Sequence, residues 1–269
     1  MGEIMLIVVN ILYILLSVIC LGIFVFASIS IFKNLLQKDF KLNLLKNAAL
    51  LLVALITFFA ILPHAISTIG CYYKDFDSKI KLNKIASKMT ILPKQKSQFE
   101  GNTGCYYVFA KDIENAISQF ETASKYYIKH PDNKTNETWF KCAATAYLIT
   151  EETNKANYFD IKSGNLDRVI ANYIVKKDYD TALKLAEQLP ESINAFGIKS
   201  FLYTKLNKKK EAKDVLEKAL SLAKTDKEKA YAKLFQNYDK HLTNYYTKLK
   251  TSYGQGIQAS PSLYIYELN

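Results

Sequence analysis

The chain has almost no arginine. Of its 36 basic residues, 35 are Lys and one, Arg168, is Arg. That removes the planar bidentate donors with which nucleic-acid surfaces grip phosphate and guanine, so the net charge of +11 does not point to a nucleic-acid partner. Histidine is equally scarce: His64, His130 and His241 stand far apart, none with a second His at the spacing of a helical metal site. No metal or cofactor is expected. With 9 Gly and 5 Pro in 269 residues, the glycine-rich phosphate loops are missing as well. Gly254-Gln255-Gly256 lacks the flanking strand and helix of a dinucleotide turn. No serine nucleophile elbow occurs, and the acid pairs Asp75/Asp77 and Glu151/Glu152 read as solvated. The expectation is a protein that is not an enzyme.

Long apolar runs are present, and they define the N-terminal end. Residues 5–32 are 28 consecutive positions without a charge, and residues 47–70 are another 24 in which His64 is the one titratable group. Each exceeds the roughly 20 residues needed to cross a bilayer as a helix, and helix is the spanning structure open to a single segment in hydrocarbon. A transmembrane hairpin over 1–70 is predicted, with Pro63 removing one helical bond near the end of the second run. A cleavable leader fits less well, because the first run is too long and Glu3 is the charge that precedes it. The connecting loop 33–46 holds four Lys against Asp39, which predicts a cytoplasmic loop and an extracytoplasmic body. Five Lys between 74 and 88 pull the other way.

Residues 71–97 read as a basic helical connector, with Phe76, Ile80, Ile85 and Met89 at near-helical spacing and Pro93 ending the pattern. Such a helix lies along a membrane surface or packs on the body. Beyond it the composition is helix after helix. A tyrosine stands nine residues before an alanine four times: Tyr107 and Ala116, Tyr147 and Ala156, Tyr173 and Ala182, Tyr203 and Ala212. In a helical hairpin the aromatic fills the gap between helices and the small residue admits the second helix.

The fullest copy is Gly104, Tyr107, Ala116, Phe120 and Ala123, followed by Pro131. It resembles the small and aromatic alternation of the tetratricopeptide repeat family. The resemblance covers about 98–225. Successive tyrosines are 40, 26 and 30 residues apart, where that family repeats at 34. The expected fold is all-α, an α-solenoid of such hairpins behind the membrane hairpin, with a capping helix over 226–253 and a non-helical tail over 254–269. That tail, with Leu263, Tyr264, Ile265 and Tyr266 behind Pro261, reads as an extended self-ligand.

The resemblance implies a concave groove lined by the first helix of each hairpin. It places Val108, Phe109, Leu148, Ile149, Ile174, Val175 and Phe201 on or near that surface, without the cationic clamp of the family's acidic-tail binders. The partner would then be an apolar helix or extended segment of another protein. It also sets Cys105 and Cys142 on neighbouring first helices, a candidate disulfide in an oxidising compartment. The function that follows is an integral-membrane scaffold, in the cytoplasmic membrane of a bacterium with its body outside, holding a protein partner during assembly of an envelope complex. The layout is also similar to a chaperone-like component of bacterial cytochrome c maturation. A membrane enzyme with an unrecognised site is the third reading.

Overall fold

The computed structural model describes residues 40–129, 137–254 and 260–267, together with scattered positions between 15 and 33. These residues are all-α, with no strand among them. The chain divides into two compact units, 1–110 with 118–132, and 111–117 with 133–269.

The first unit is built on α1 (Phe40–Tyr72), followed by α2 (Phe76–Met89), α3 (Pro93–Phe109) and most of α4 (Ile113–Lys129). Among the described residues α1 is the one helix long and apolar enough to cross a membrane, over Leu51–Tyr72, while a shorter apolar helical stretch covers Leu21–Ser30. The rest of the first apolar run lies outside the described residues, so these support one span rather than the expected two-helix hairpin. The 33 residues of α1 extend about 50 Å at 1.5 Å per residue, more than the roughly 30 Å of a hydrocarbon core. Its two ends accordingly differ. Leu52, Val53 and Ile56 are exposed, whereas Pro63, Ala65, Ser67 and Gly70 are buried. The buried end packs against α2, which turns back after three residues. Gly70 lets the two helices come close, an added Cβ there sitting 3.3 Å from that of Leu82. Ser67 Oγ donates to Asn83 Oδ1 at 2.8 Å. Asp75 caps α2 by accepting from the Ser78 amide at 2.6 Å. At the other end of α2, Gln95 Nε2 of α3 donates to the Ala60 carbonyl at 3.0 Å. The connector helix therefore packs along α1.

In the same unit α3 and α4 approach each other closely. The ring of Phe120 lies on Gly104, where a Cβ would come within 2.5 Å of Cε1, and Phe120 and Ala123 are fully buried.

The second unit continues with α5 (Glu137–Ile149), α6 (Thr153–Lys162), α7 (Leu166–Val175), α8 (Tyr179–Ala186), α9 (Ile193–Lys205), α10 (Lys209–Leu222), α11 (Asp226–Leu234), a 3₁₀ turn (Phe235–Asn237), α12 (Tyr238–Ser252) and α13 (Pro261–Glu267). The nine-residue spacing of the sequence has a definite cause here. In each tyrosine copy the fourth residue on is left-handed: Lys111, Glu151, Lys177 and Asn207 have φ between 60° and 65°. Glu152, Asp178 and Lys208 then donate their amides back to the carbonyls of Tyr147, Tyr173 and Tyr203. This six-to-one bond is the Schellman helix ending. The residue after the left-handed one starts the next helix, and four residues later stands the alanine. The amides of Ala116, Ala156, Ala182 and Ala212 bond to the carbonyls of Asp112, Glu152, Asp178 and Lys208.

The spacing is thus the length of a helix–turn–helix joint. Its alanines are all buried, but Tyr147 alone among the tyrosines is buried, stacked on Phe159 with centroids 5.6 Å apart. Full burial of the tyrosine in the gap holds for that hairpin only. A fifth joint of the same geometry carries no tyrosine: Gly164 is left-handed, and Asn165 donates to the Asp160 carbonyl at 2.8 Å. The joints at 147, 160 and 173 therefore recur every 13 residues. This explains the 26-residue interval, and it makes these hairpins shorter than a 34-residue repeat.

The tail is helical where an extended segment was expected. Pro261 does not extend the chain: it is the first residue of α13, where its fixed φ suits a helix start.

Candidate functional site

The seven groove residues do not share one surface. Val108, Leu148, Ile174 and Phe201 are buried in helical cores, Phe109 and Ile149 are half-buried, and Val175 is exposed. Val108 and Phe109 belong to the first unit and the other five to the second. A simple rule sorts six of them. The residue after each tyrosine turns inward and the next turns outward, as positions 100° apart on a helix must.

What the second unit does present is a cleft of about 330 Å³ lined by Leu148, Glu151, Thr153, Asn172, Val175, Lys176, Tyr246 and Lys250. Leu148 and Val175 of the seven therefore converge on it. The joint after α5 places Glu151, the last turn of α7 places Asn172 and Val175, and α12 supplies Tyr246 and Lys250. The walls carry polar contacts. Lys250 Nζ meets Glu151 Oε1 at 2.8 Å, and this contact holds the Glu151 carboxyl below the usual carboxylate range. Asn172 donates to Asn157 Oδ1 at 2.6 Å and accepts a short hydrogen bond from the Tyr246 hydroxyl. Lys176 is exposed at the rim. The cleft thus combines the apolar Leu148 and Val175 and the ring of Tyr246 with a charged rim of Glu151, Lys176 and Lys250. Among the described residues no group of three His, Cys, Asp or Glu is placed to hold a metal ion.

Behind the cleft, charge is enclosed. Arg168, the one arginine, is 1% exposed. Its Nε lies 2.9 Å from both carboxylate oxygens of Asp160, its Nη2 lies 2.6 Å from Oδ1, and Nη1 reaches Thr145 Oγ1 at 3.1 Å. Burial pushes the Asp160 carboxyl up, and the guanidinium opposes that shift. Next to it in the chain, Asp167 faces the tail. It accepts from the Ser262 amide at 3.1 Å, from Ser262 Oγ at 3.0 Å, from Tyr238 Oη at 3.4 Å, and from Ser260 Oγ in a short bond. Burial raises this carboxyl above its usual range and pushes the nearby Tyr245 hydroxyl up to about 12. This cluster docks α13 on α7, α11 and α12. The tail does rest on its own body, as a helix held by serines. Sequence reasoning missed both carboxylates; the lone arginine was the available signal.

Cys105 is buried in the first unit and Cys142 is half-buried on α5, each as a thiol. His64 packs edge-on against Phe99, centroids 5.2 Å apart. His241 is half-buried, its pKa lowered by burial and by Lys240. His130 lies outside the described residues.

Among the described residues the class is all-α: the first unit contains a long apolar helix, and the second is made of short helices with a cleft between them. No protein-family model, no curated protein and no solved structure matches the chain.

Proposed function

We propose that this protein is a membrane-anchored helical scaffold, related in design to tetratricopeptide proteins, that holds a partner protein at the cytoplasmic membrane of a bacterium. The body stands on the extracytoplasmic side, and the apolar runs at 5–32 and 47–70 cross as a hairpin. One observation carries the reading: α1 is a single helix with exposed Leu52, Val53 and Ile56 at one end and a buried, hydrogen-bonded face at the other. A helix of that kind ties a polar body to lipid without a flexible linker. The cleft supports the binding role. Leu148, Val175 and Tyr246 would receive an apolar side chain of an amphipathic partner segment, and Lys176 an acidic group beside it.

Accessibility of single cysteines tests the placement. In a cysteine-free chain, positions Lys125 and Lys38 are replaced by Cys and exposed to a membrane-impermeant maleimide in intact and permeabilised cells. Labelling at 125 but not at 38 before permeabilisation is the expected result. The reverse pattern overturns the extracytoplasmic placement. A photo-crosslinker at Val175 should then yield a discrete adduct that Leu148→Lys abolishes. An adduct that survives this change would remove the cleft from the proposal.

A further inference from the structure

The tip of the α2–α3 hairpin is apolar where a soluble turn would be polar. Ile91 is 62% exposed and Leu92 41%. Around them stand Lys88 and Lys94, both exposed. The turn itself is rigid: Thr90 Oγ1 hydrogen-bonds with Gln95 Oε1 at 2.6 Å and accepts from the Leu92 amide at 3.2 Å. Two adjacent exposed aliphatic side chains on one turn, flanked by lysines, make a small apolar patch that an apolar surrounding would cover.

The height of this tip relative to α1 follows from its contacts. Gln95 bonds to the Ala60 carbonyl, so the turn lies level with residue 60. The apolar segment of α1 continues to Tyr72, but the charge-free run starts after Lys46, and the roughly 20 residues needed to cross a bilayer fit between Lys46 and Ser67. Ser67 is already hydrogen-bonded to Asn83 of the polar body. Ala60 therefore lies about six residues, or roughly 9 Å, inside that boundary. This is the depth of about 5–10 Å to which interfacial segments bury their apolar side chains. Lys88 and Lys94 can extend their stems along the tip and leave their charges at the headgroups.

We propose that the turn carrying Ile91 and Leu92 inserts into the leaflet from which α1 emerges, as a second and interfacial membrane contact. The occupant is a lipid surface, and anionic headgroups match the flanking lysines. The proposal rests on the reading of α1 as a membrane span. With two points of contact, α1 and the tip, the first unit would be fixed in tilt relative to the bilayer rather than swivelling on one helix.

Lipid quenching of tryptophan separates the two claims. The full chain is reconstituted into vesicles of phosphatidylcholine and phosphatidylglycerol, with or without bromine near the headgroup end of the acyl chains. Variants Leu92→Trp, Val53→Trp and Lys81→Trp are compared with the unsubstituted chain, whose single Trp139 is buried and gives the background. Position 53 reports the span, and position 81, next to the residue packed on Gly70, reports the body above the membrane. The added emission at 92 should fall about twofold in brominated lipid, with loss at 53 as well and little change at 81. Quenching at 53 without quenching at 92 overturns the insertion and leaves the span standing. If emission at 92 is also blue-shifted in that case, the tip faces protein instead of lipid. No quenching at 53 overturns the span and the insertion together.

Discussion

The two units bury polarity in opposite ways. In the first, the buried polar side chains among the described residues are hydroxyls and one amide, such as Ser97, which donates to the Ala123 carbonyl at 2.9 Å, and Ser67, which donates to Asn83, while the carboxyl of Glu100, which accepts from Ser87, is only half-buried. In the second, an ion pair is enclosed with side chains 1% and 0% exposed, and a second carboxylate is held by serines and a tyrosine. Neutral hydroxyls and amides are far cheaper to desolvate than charges, which suits a unit built around an apolar helix. Enclosed charge tolerates no missing partner, so it fixes which helices meet. In the second unit the helices that meet are therefore specified by charge as well as by packing.

Breaking the ion pair should have the largest effect. Arg168→Ala leaves the Asp160 carboxylate buried without its partner and is expected to cost about 3–5 kcal/mol, read as a lowered midpoint in urea. Asp160→Leu with Arg168→Met should recover most of that loss, because an apolar pair of similar volume strands no charge. In the first unit, Ser97→Ala should cost only about 1 kcal/mol. Equal losses at the two sites would erase the distinction between the units.

The tail latch sharpens the same contrast through pH. Burial raises the Asp167 carboxyl above the ordinary 3.8, so the folded chain binds this proton more tightly than the unfolded one. The favourable contribution is present below 3.8 and is lost as pH rises through the raised value. Thermal stability should therefore show a falling component above pH 3.8 that Asp167→Asn flattens. Asp167→Ala should loosen α13, costing about 1–3 kcal/mol and speeding amide exchange over Pro261–Glu267. Unchanged exchange there would mean that packing of Tyr264 and Ile265, both buried, holds the tail without the carboxylate.

Close approach through glycine is what the units share. Gly104 lies under Phe120 in the first, and Gly197 lies under Phe235 in the second. Each Gly→Ala should cost about 1–3 kcal/mol by overpacking. Restoring room with Phe120→Leu or Phe235→Leu should return part of it in a double-mutant cycle.

How much of this was legible follows from which features have a one-residue signature. The helical class was legible from composition, and the four joints from the nine-residue interval, since a joint of fixed length stamps a fixed spacing on the chain. The joint at Asp160 escaped because its third-from-last helical residue is an aspartate serving Arg168, not a tyrosine. The outward residues 109, 149 and 175 were assigned to the surface together with their inward neighbours 108, 148 and 174, because a spacing marks the joint without marking its rotation. The helical tail was hidden by Pro261, which starts an extended segment as readily as it opens a helix. Asp167 lies about a hundred residues from its serines, a pairing that no local pattern carries.

The smallest expected effect tests the joint itself. Left-handed φ is strained for a side chain bearing a Cβ, by roughly 1–2 kcal/mol, and nearly free for glycine. Lys177, with φ of 61°, is exposed, so its side chain has little packing to lose. Lys177→Gly should therefore stabilise the second unit by somewhat less than about 1 kcal/mol, the unfolded chain's added freedom taking back part of the gain. Asn207→Gly should gain less, because asparagine already tolerates the left-handed region. Gly164→Ala should lose about 1 kcal/mol for the same reason run backwards. If the three changes rank in that order in thermal melts, the joint is a backbone device into which almost any residue can be placed. That would account for a lysine, a glutamate, an asparagine and a glycine all occupying the same place in it.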